Sequence, residues 1–142
     1  MAASPSTSAR TRPTTAHAGL YAAVFAGGVV GALARTGLER LLPAGHGWPW
    51  ATFAVNVAGA ALLGWLLTRL QERLPPTTFR RAFAGTGLCG ALTTFSTLQL
   101  EVLQLGRDGR PALAVAYLAA SVAAGGLALY LATALTRRVQ LR

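Results

Sequence analysis

The sequence predicts an all-α membrane protein of four transmembrane helices. Of its 142 residues, 53% are hydrophobic and only 12% charged, and the mean hydropathy is +0.45, a balance unlike that of a soluble domain of this size. Four apolar runs can be read, at about 20–42, 48–70, 79–105 and 111–135, each reaching the roughly 20 residues that cross the hydrocarbon as helix. The basic residues are all arginine and gather at the ends of those runs.

Residues 1–18 are rich in Ser, Thr, Pro and Arg with no apolar run, the composition of a disordered tail; nothing in them resembles a cleavable signal peptide. The first span carries Gly27 and Gly31, a small-xxx-small pair that lets backbones approach, and Arg35 one turn later, which can snorkel, brace an assembly or draw anions into a vestibule. In the second, Asn56 is an amide inside the membrane and needs a partner, either a neighbouring helix or a ligand. Thr52, Asn56, Gly59 and Ala60 share one face by helical spacing. Trp48 and Trp50 suit the interfacial aromatic belt.

The third run has the most informative segment. Gly90 to Thr97, GALTTFST, sets hydroxyls of Thr93, Thr94, Ser96 and Thr97 in an oily stretch, and Gly90 lowers the cost of leaving helical geometry. Such polarity at membrane depth fits either a tight helix contact or a wall for something small and polar. In the fourth run Tyr117, Ser121 and Gly125 recur at steps of four, with Tyr117 either in the belt or on the same polar stripe. Residues 137–142 form a short basic tail.

Placement of the arginines predicts topology and removes one function class. Arg10, Arg12, Arg69, Arg73, Arg80, Arg81, Arg137, Arg138 and Arg142 fall on the side of the termini, against Arg35, Arg40, Arg107 and Arg110 on the other. The positive-inside rule then expects a multi-pass cell-membrane protein with both termini cytoplasmic. A charge of +9 displayed on helix ends, with no sizeable soluble surface, is not a nucleic-acid interface.

Enzymatic chemistry is not expected either. Cys89 is the single cysteine and is read as packing, far along the chain from His17 and His46. No nucleophile, base and orienting acid come together at believable spacing. The four acids, Glu39, Glu72, Glu101 and Asp108, are expected at or near helix ends; with no acid or lysine in the middle of a span, proton-coupled transport is disfavoured.

The ordered set GGVVGALAR (Gly27 to Arg35), ATFAVNVAGAALLG (Ala51 to Gly64), GTGLCGALTTFST (Gly85 to Thr97) and Tyr117 followed by Ser121 resembles the Fluc or CrcB family of fluoride channels, across all four runs. The resemblance implies that residues 19–136 form a four-helix channel domain whose third helix breaks near its middle, in an antiparallel, dual-topology-type dimer. It implies two narrow fluoride pores and a structural sodium ion at the dimer centre, needed but not transported, on the backbone carbonyls of Gly90 and Thr93. It assigns the fluoride path to Asn56, Phe95, Ser96, Thr97, Tyr117 and Ser121, with Arg35 in a supporting position at the vestibule. The implied role is passive fluoride efflux that lowers toxic cytoplasmic fluoride. Neutral donors and the positive edge of the Phe95 ring hold an anion less tightly than a buried cation would, which suits conduction.

One departure matters. Where the family usually carries a second phenylalanine, three residues after Phe95, this chain has Leu98. A homodimer would lack that ring in both pores, and the strong arginine bias also argues against insertion in both orientations. The expectation is therefore a homodimer or, preferentially, a heterodimer with a second Fluc-type subunit. A non-conducting assembly subunit and a small multidrug-type exporter are the alternatives; the exporter is disfavoured because no acid lies buried in the first span.

Overall fold

The computed structural model describes residues 15–42, 47–71 and 78–140. Helix α1 is Thr15–Leu41 and α2 is Trp50–Gln71. The third run is assembled from pieces: a single turn α3 (Phe79–Arg81), a π-helical stretch Ala82–Cys89, another turn α4 (Gly90–Leu92), two extended residues, and α5 (Phe95–Arg107). Helix α6 is Pro111–Gln140. Among the described residues, three helices are long and apolar enough to cross a bilayer, over His17–Leu41, Trp50–Arg69 and Pro111–Val139. Neither half of the third run alone reaches the roughly 20 residues a crossing takes.

Helix extends beyond the apolar runs at both ends of the chain, to Thr15 and to Gln140. Backbone hydrogen bonding needs no apolar side chain, and 30 residues in α6 span about 45 Å, longer than the hydrocarbon is thick. Residues 1–14 of the expected tail, with Arg10 and Arg12, lie outside the described residues, as do His46, Glu72, Arg73 and Arg142.

Glycine contacts fix the helix directions. Gly19 lies against the Phe79 ring, while Gly27 and Gly31 press on the backbone of Phe83 and Leu88, so α1 and segment 79–92 run parallel. A methyl on Gly27 would collide with the Phe83 carbonyl, and one on Gly31 with the Leu88 carbonyl; the small-xxx-small pair brings backbone onto backbone, as its spacing predicts. Gly87 reciprocates against Val24 and Gly27. The facing stretch is π-helical where one helical span is read from the sequence. Its wider turns contain Gly85 and Gly87, which weaken the preference for regular α-helix.

Gly64 similarly rests on Leu129, and the Trp48 ring meets Tyr117 edge-on at 5.3 Å between centroids, so α2 and α6 run parallel to each other. The start of α1, the end of α2, Phe79 and the end of α6 therefore share one end of the molecule. That end carries Arg69, Arg80, Arg81, Arg137 and Arg138 among the described residues; Arg35, Arg40, Arg107 and Arg110 belong to the other. Buried hydroxyls in the α2–α6 seam spend their hydrogens locally: Thr68 donates to the Gly64 carbonyl (2.9 Å) and Thr136 to that of Ala132 (2.6 Å), the way a polar side chain is accommodated in an apolar helix.

A Gly109 turn joins α5 to α6. Gly109 has φ of 76°, and the Arg110 N–H returns to the Leu105 carbonyl at 2.9 Å, closing α5 in the manner of a glycine-capped helix; Pro111 then opens α6, where its missing N–H costs nothing. Around this turn Leu98, Leu105, Ala114 and Tyr117 are buried together, flanked by Trp48, Phe53, Val102 and Leu113. Trp48 thus packs inward on Tyr117 and Phe53, while Trp50 is exposed.

Candidate functional site

The site is built on the gap between α4 and α5. Thr93 (φ −82°, ψ 152°) and Thr94 (φ −145°, ψ 119°) are extended. The Thr93 N–H keeps its helical bond to the Cys89 carbonyl at 3.1 Å, whereas the backbone groups of Thr94 must find partners from elsewhere. Asn56 on α2 provides both for Thr94: its Oδ1 accepts from the Thr94 N–H at 2.8 Å, and its Nδ2 donates to the Thr94 carbonyl at 2.9 Å. Gly59, one turn further along α2, has no side chain, and Thr93 occupies that space.

Thr94 is buried and caps α5. Its hydroxyl accepts from the Thr97 N–H (3.2 Å) and donates to Thr97 Oγ1 (2.9 Å). With its one hydrogen so committed, its 3.3 Å contact to Ser96 Oγ has Ser96 as donor. Thr97 Oγ1 is an acceptor in this cluster and keeps its own hydrogen. Thr93 donates to the Cys89 carbonyl (3.0 Å), and Cys89 is a buried free thiol.

A second cluster lies one to two turns along α5. Glu101 accepts from Thr52 of α2 (2.7 Å, at Oε1) and from Tyr117 of α6 (2.6 Å, at Oε2). The sequence reading set Glu101 at or near a helix end, with no acid in the middle of a span; Glu101 lies within α5, partly buried, with its donors Thr52 and Tyr117 fully buried. What the sequence reading missed is that two other helices bring hydroxyls to this carboxylate. A signal was available: Thr94, Thr97 and Glu101 lie on one helical face at spacings of three and four. Ser121, one turn after Tyr117, is also buried, and its hydroxyl has no partner among the described residues.

The site therefore holds Asn56, Ser96, Thr97, Tyr117 and Ser121 around α5, with Phe95 at its start and 64% exposed. Arg35 pairs with Glu39 on its own helix (3.7 Å), and its Nε is buried without a partner among the described residues. Among the described residues no three of His, Cys, Asp and Glu gather as a metal site; the cation that the family resemblance implies would be held by backbone carbonyls. Two carbonyls fit. In a continuous helix Gly90 C=O would accept from Thr94 N–H, and Thr93 C=O from Thr97 N–H; those two N–H groups are held instead by Asn56 Oδ1 and Thr94 Oγ1.

The sequence profile described as "CrcB-like protein, Camphor Resistance (CrcB)" matches residues 22–133. The chain belongs to the CrcB family. It is 55% identical over 122 residues to a protein of Mycobacterium bovis named fluoride-specific ion channel FluC 1, covering 85% of this chain and 92% of that one. It is 43% identical over 110 residues to the FluC 1 protein of Lactiplantibacillus plantarum, covering 76% and 90%. A Streptomyces avermitilis protein named fluoride-specific ion channel FluC 3 is 44% identical over 129 residues, with 87% of this chain and 63% of that one aligned.

The CrcB match spans α1 to α6 and every residue of both polar clusters. Leu98, which stands where the family resemblance leads one to expect a second phenylalanine, is 4% exposed and packed with Leu105, Ala114 and Tyr117.

Proposed function

We propose that this CrcB-family chain is a subunit of a fluoride-specific channel giving passive efflux of fluoride across the cell membrane. The observation that carries the reading is the inventory of hydrogens around α5. Fluoride is small and strongly hydrated, so a path for it must offer replacement donors without a fixed cation that would trap it. Thr52 and Tyr117 donate to Glu101, Thr94 to Thr97, and one Asn56 amide hydrogen to Thr94. The Ser121 hydroxyl, the Thr97 hydrogen and the second Asn56 hydrogen remain for an anion, beside the exposed Phe95 ring whose edge is positive. Tyr117 and Ser96 hold the walls, and Arg35 supports the entrance, where its charge raises local anion concentration.

The broken third run serves as the fourth crossing of the membrane, with both termini on the cytoplasmic side. This chain pairs with a second Fluc-type subunit inserted in the opposite orientation. The carbonyls of Gly90 and Thr93, with carbonyls of the partner subunit, would hold a structural sodium ion at the dimer centre; a hard cation of this kind supplies a fixed charge that joins oxygen-rich backbone from two subunits. The diverted N–H partners of those carbonyls support this assignment.

The pairing is heterodimeric in our reading, because Leu98 belongs to the hydrophobic core and leaves no ring for the pore. Relatives numbered FluC 1, FluC 2 and FluC 3 are compatible with a second subunit. Liposomes loaded with fluoride and followed by an external fluoride electrode test the function: the assembled protein should release fluoride down its gradient without ATP or a coupled ion. Absence of release would overturn the channel reading, whereas robust release from this chain alone would overturn only the obligate pair.

A further inference from the structure

We infer that Asn56 and Thr94 are positioning residues for the cation cradle, acting by keeping two helix donors away from the carbonyls of Gly90 and Thr93. The inference rests on the carbonyl cradle proposed above and deepens it. A helix break does not by itself leave carbonyls free, because in an apolar setting a short gap gains most by winding back and restoring its own hydrogen bonds. Four N–H groups, those of residues 94 to 97, would cross the gap in a continuous helix, and the two that would cover the Gly90 and Thr93 carbonyls are each occupied by a side chain. The Thr94 N–H, partner of Gly90 in a continuous helix, goes to Asn56 Oδ1 at 2.8 Å; the Thr97 N–H, partner of Thr93, goes to Thr94 Oγ1 at 3.2 Å.

Asn56 also satisfies the Thr94 carbonyl at 2.9 Å, so the extended conformation leaves that residue with no unmet backbone group. Space for the break is provided by Gly59, against which the Thr93 methyl rests. Thr94 is the hinge of the device: its backbone is held by α2 and its side chain holds the first turn of α5. Removing either side chain hands an N–H back to the carbonyl that the cation needs. Asn56 thereby has two duties, an oxygen and one hydrogen for the break and a second hydrogen for the anion path, and the two are separable by what is measured.

The test uses the assembled full-length protein, unfolded thermally in sodium chloride and in N-methylglucamine chloride over a range of sodium concentrations. Wild type should be stabilised by sodium. Asn56→Leu and Thr94→Val should need at least about tenfold more sodium for half-maximal stabilisation, a factor that corresponds to 1.4 kcal/mol, while Thr94→Ser, which keeps the capping hydroxyl, should match wild type. Wild-type sodium dependence in both Asn56→Leu and Thr94→Val would overturn the inference and leave the cradle standing. No sodium response in wild type would overturn the cradle and this inference together. Should Asn56→Leu fail to assemble, the contrast between Thr94→Val and Thr94→Ser decides: a rightward shift in Val alone supports the inference, and equal sodium dependence in the two overturns it.

Discussion

Asn56 and Thr94, 38 positions apart in the chain, are joined by a reciprocal pair of hydrogen bonds at 2.8 and 2.9 Å. The amide replaces, for one residue, the two partners a helix would have provided. That residue pair ties α2 to the interruption between α4 and α5, beside which Ser96 and Thr97 gather on the Thr94 hydroxyl.

Asn56→Ala should therefore damage fold and flux together. It strands a buried N–H and a buried C=O, at roughly 1–3 kcal/mol for each group left unsatisfied, partly relieved if the segment rewinds. Thermal unfolding should show a drop of several degrees, and fluoride release should fall to background.

Ser121→Ala should separate the two. Its hydroxyl is buried with no partner among the described residues, so removing it lifts a desolvation cost of about 1–3 kcal/mol. Stability measured by thermal melting should be unchanged or higher, while fluoride efflux drops at least about tenfold. Unchanged efflux would remove Ser121 from the fluoride path.

The glycine seam offers a paired comparison. Gly27→Ala would drive a methyl into the Phe83 carbonyl, whereas the same change at Gly28 meets nothing within 4 Å. Gly27→Ala should cost about 1–3 kcal/mol through overpacking, seen as a lower melting temperature and poorer assembly on size-exclusion chromatography. Gly28→Ala should be neutral.

Leu98→Phe, which writes in the ring that the family resemblance expects, should destabilise rather than create a pore. Leu98 is 4% exposed among Leu105, Ala114 and Tyr117, and the larger ring overfills that space by about 1–3 kcal/mol. The melting temperature should fall, with no gain in fluoride release from this chain alone.

Locating Glu101 among buried hydroxyls removes one argument against proton coupling, so the distinction from an exporter moves to measurement. A channel should release fluoride at a rate set by the fluoride gradient and membrane potential. Imposing a pH gradient at fixed potential should not drive fluoride uphill beyond what neutral HF crossing the lipid gives in protein-free liposomes; protein-dependent accumulation above that level would identify an exchanger.

Much of this molecule is legible in the chain because burial in lipid demands long apolar runs and periodic small faces. The runs near 20–42, 48–70 and 111–135, the Gly27–Gly31 pair and the polar stripes of Thr52 with Asn56 and of Tyr117 with Ser121 are local patterns, and α1, α2 and α6 realise them. The hydroxyl-rich segment after Gly90 likewise marks where regular helix gives way. Composition and helical spacing suffice for such features, since each depends on residues within a few turns of one another.

What tertiary structure decided is which hydrogen goes where. Asn56 reaching Thr94, Glu101 collecting Thr52 and Tyr117 from two other helices, Ser121 left unpaired and Leu98 enclosed in the core are all relationships between distant segments. A hydrogen bond is short and directional, so its partner is set by how helices cross and turn about their axes, and neither periodicity nor residue type contains that information.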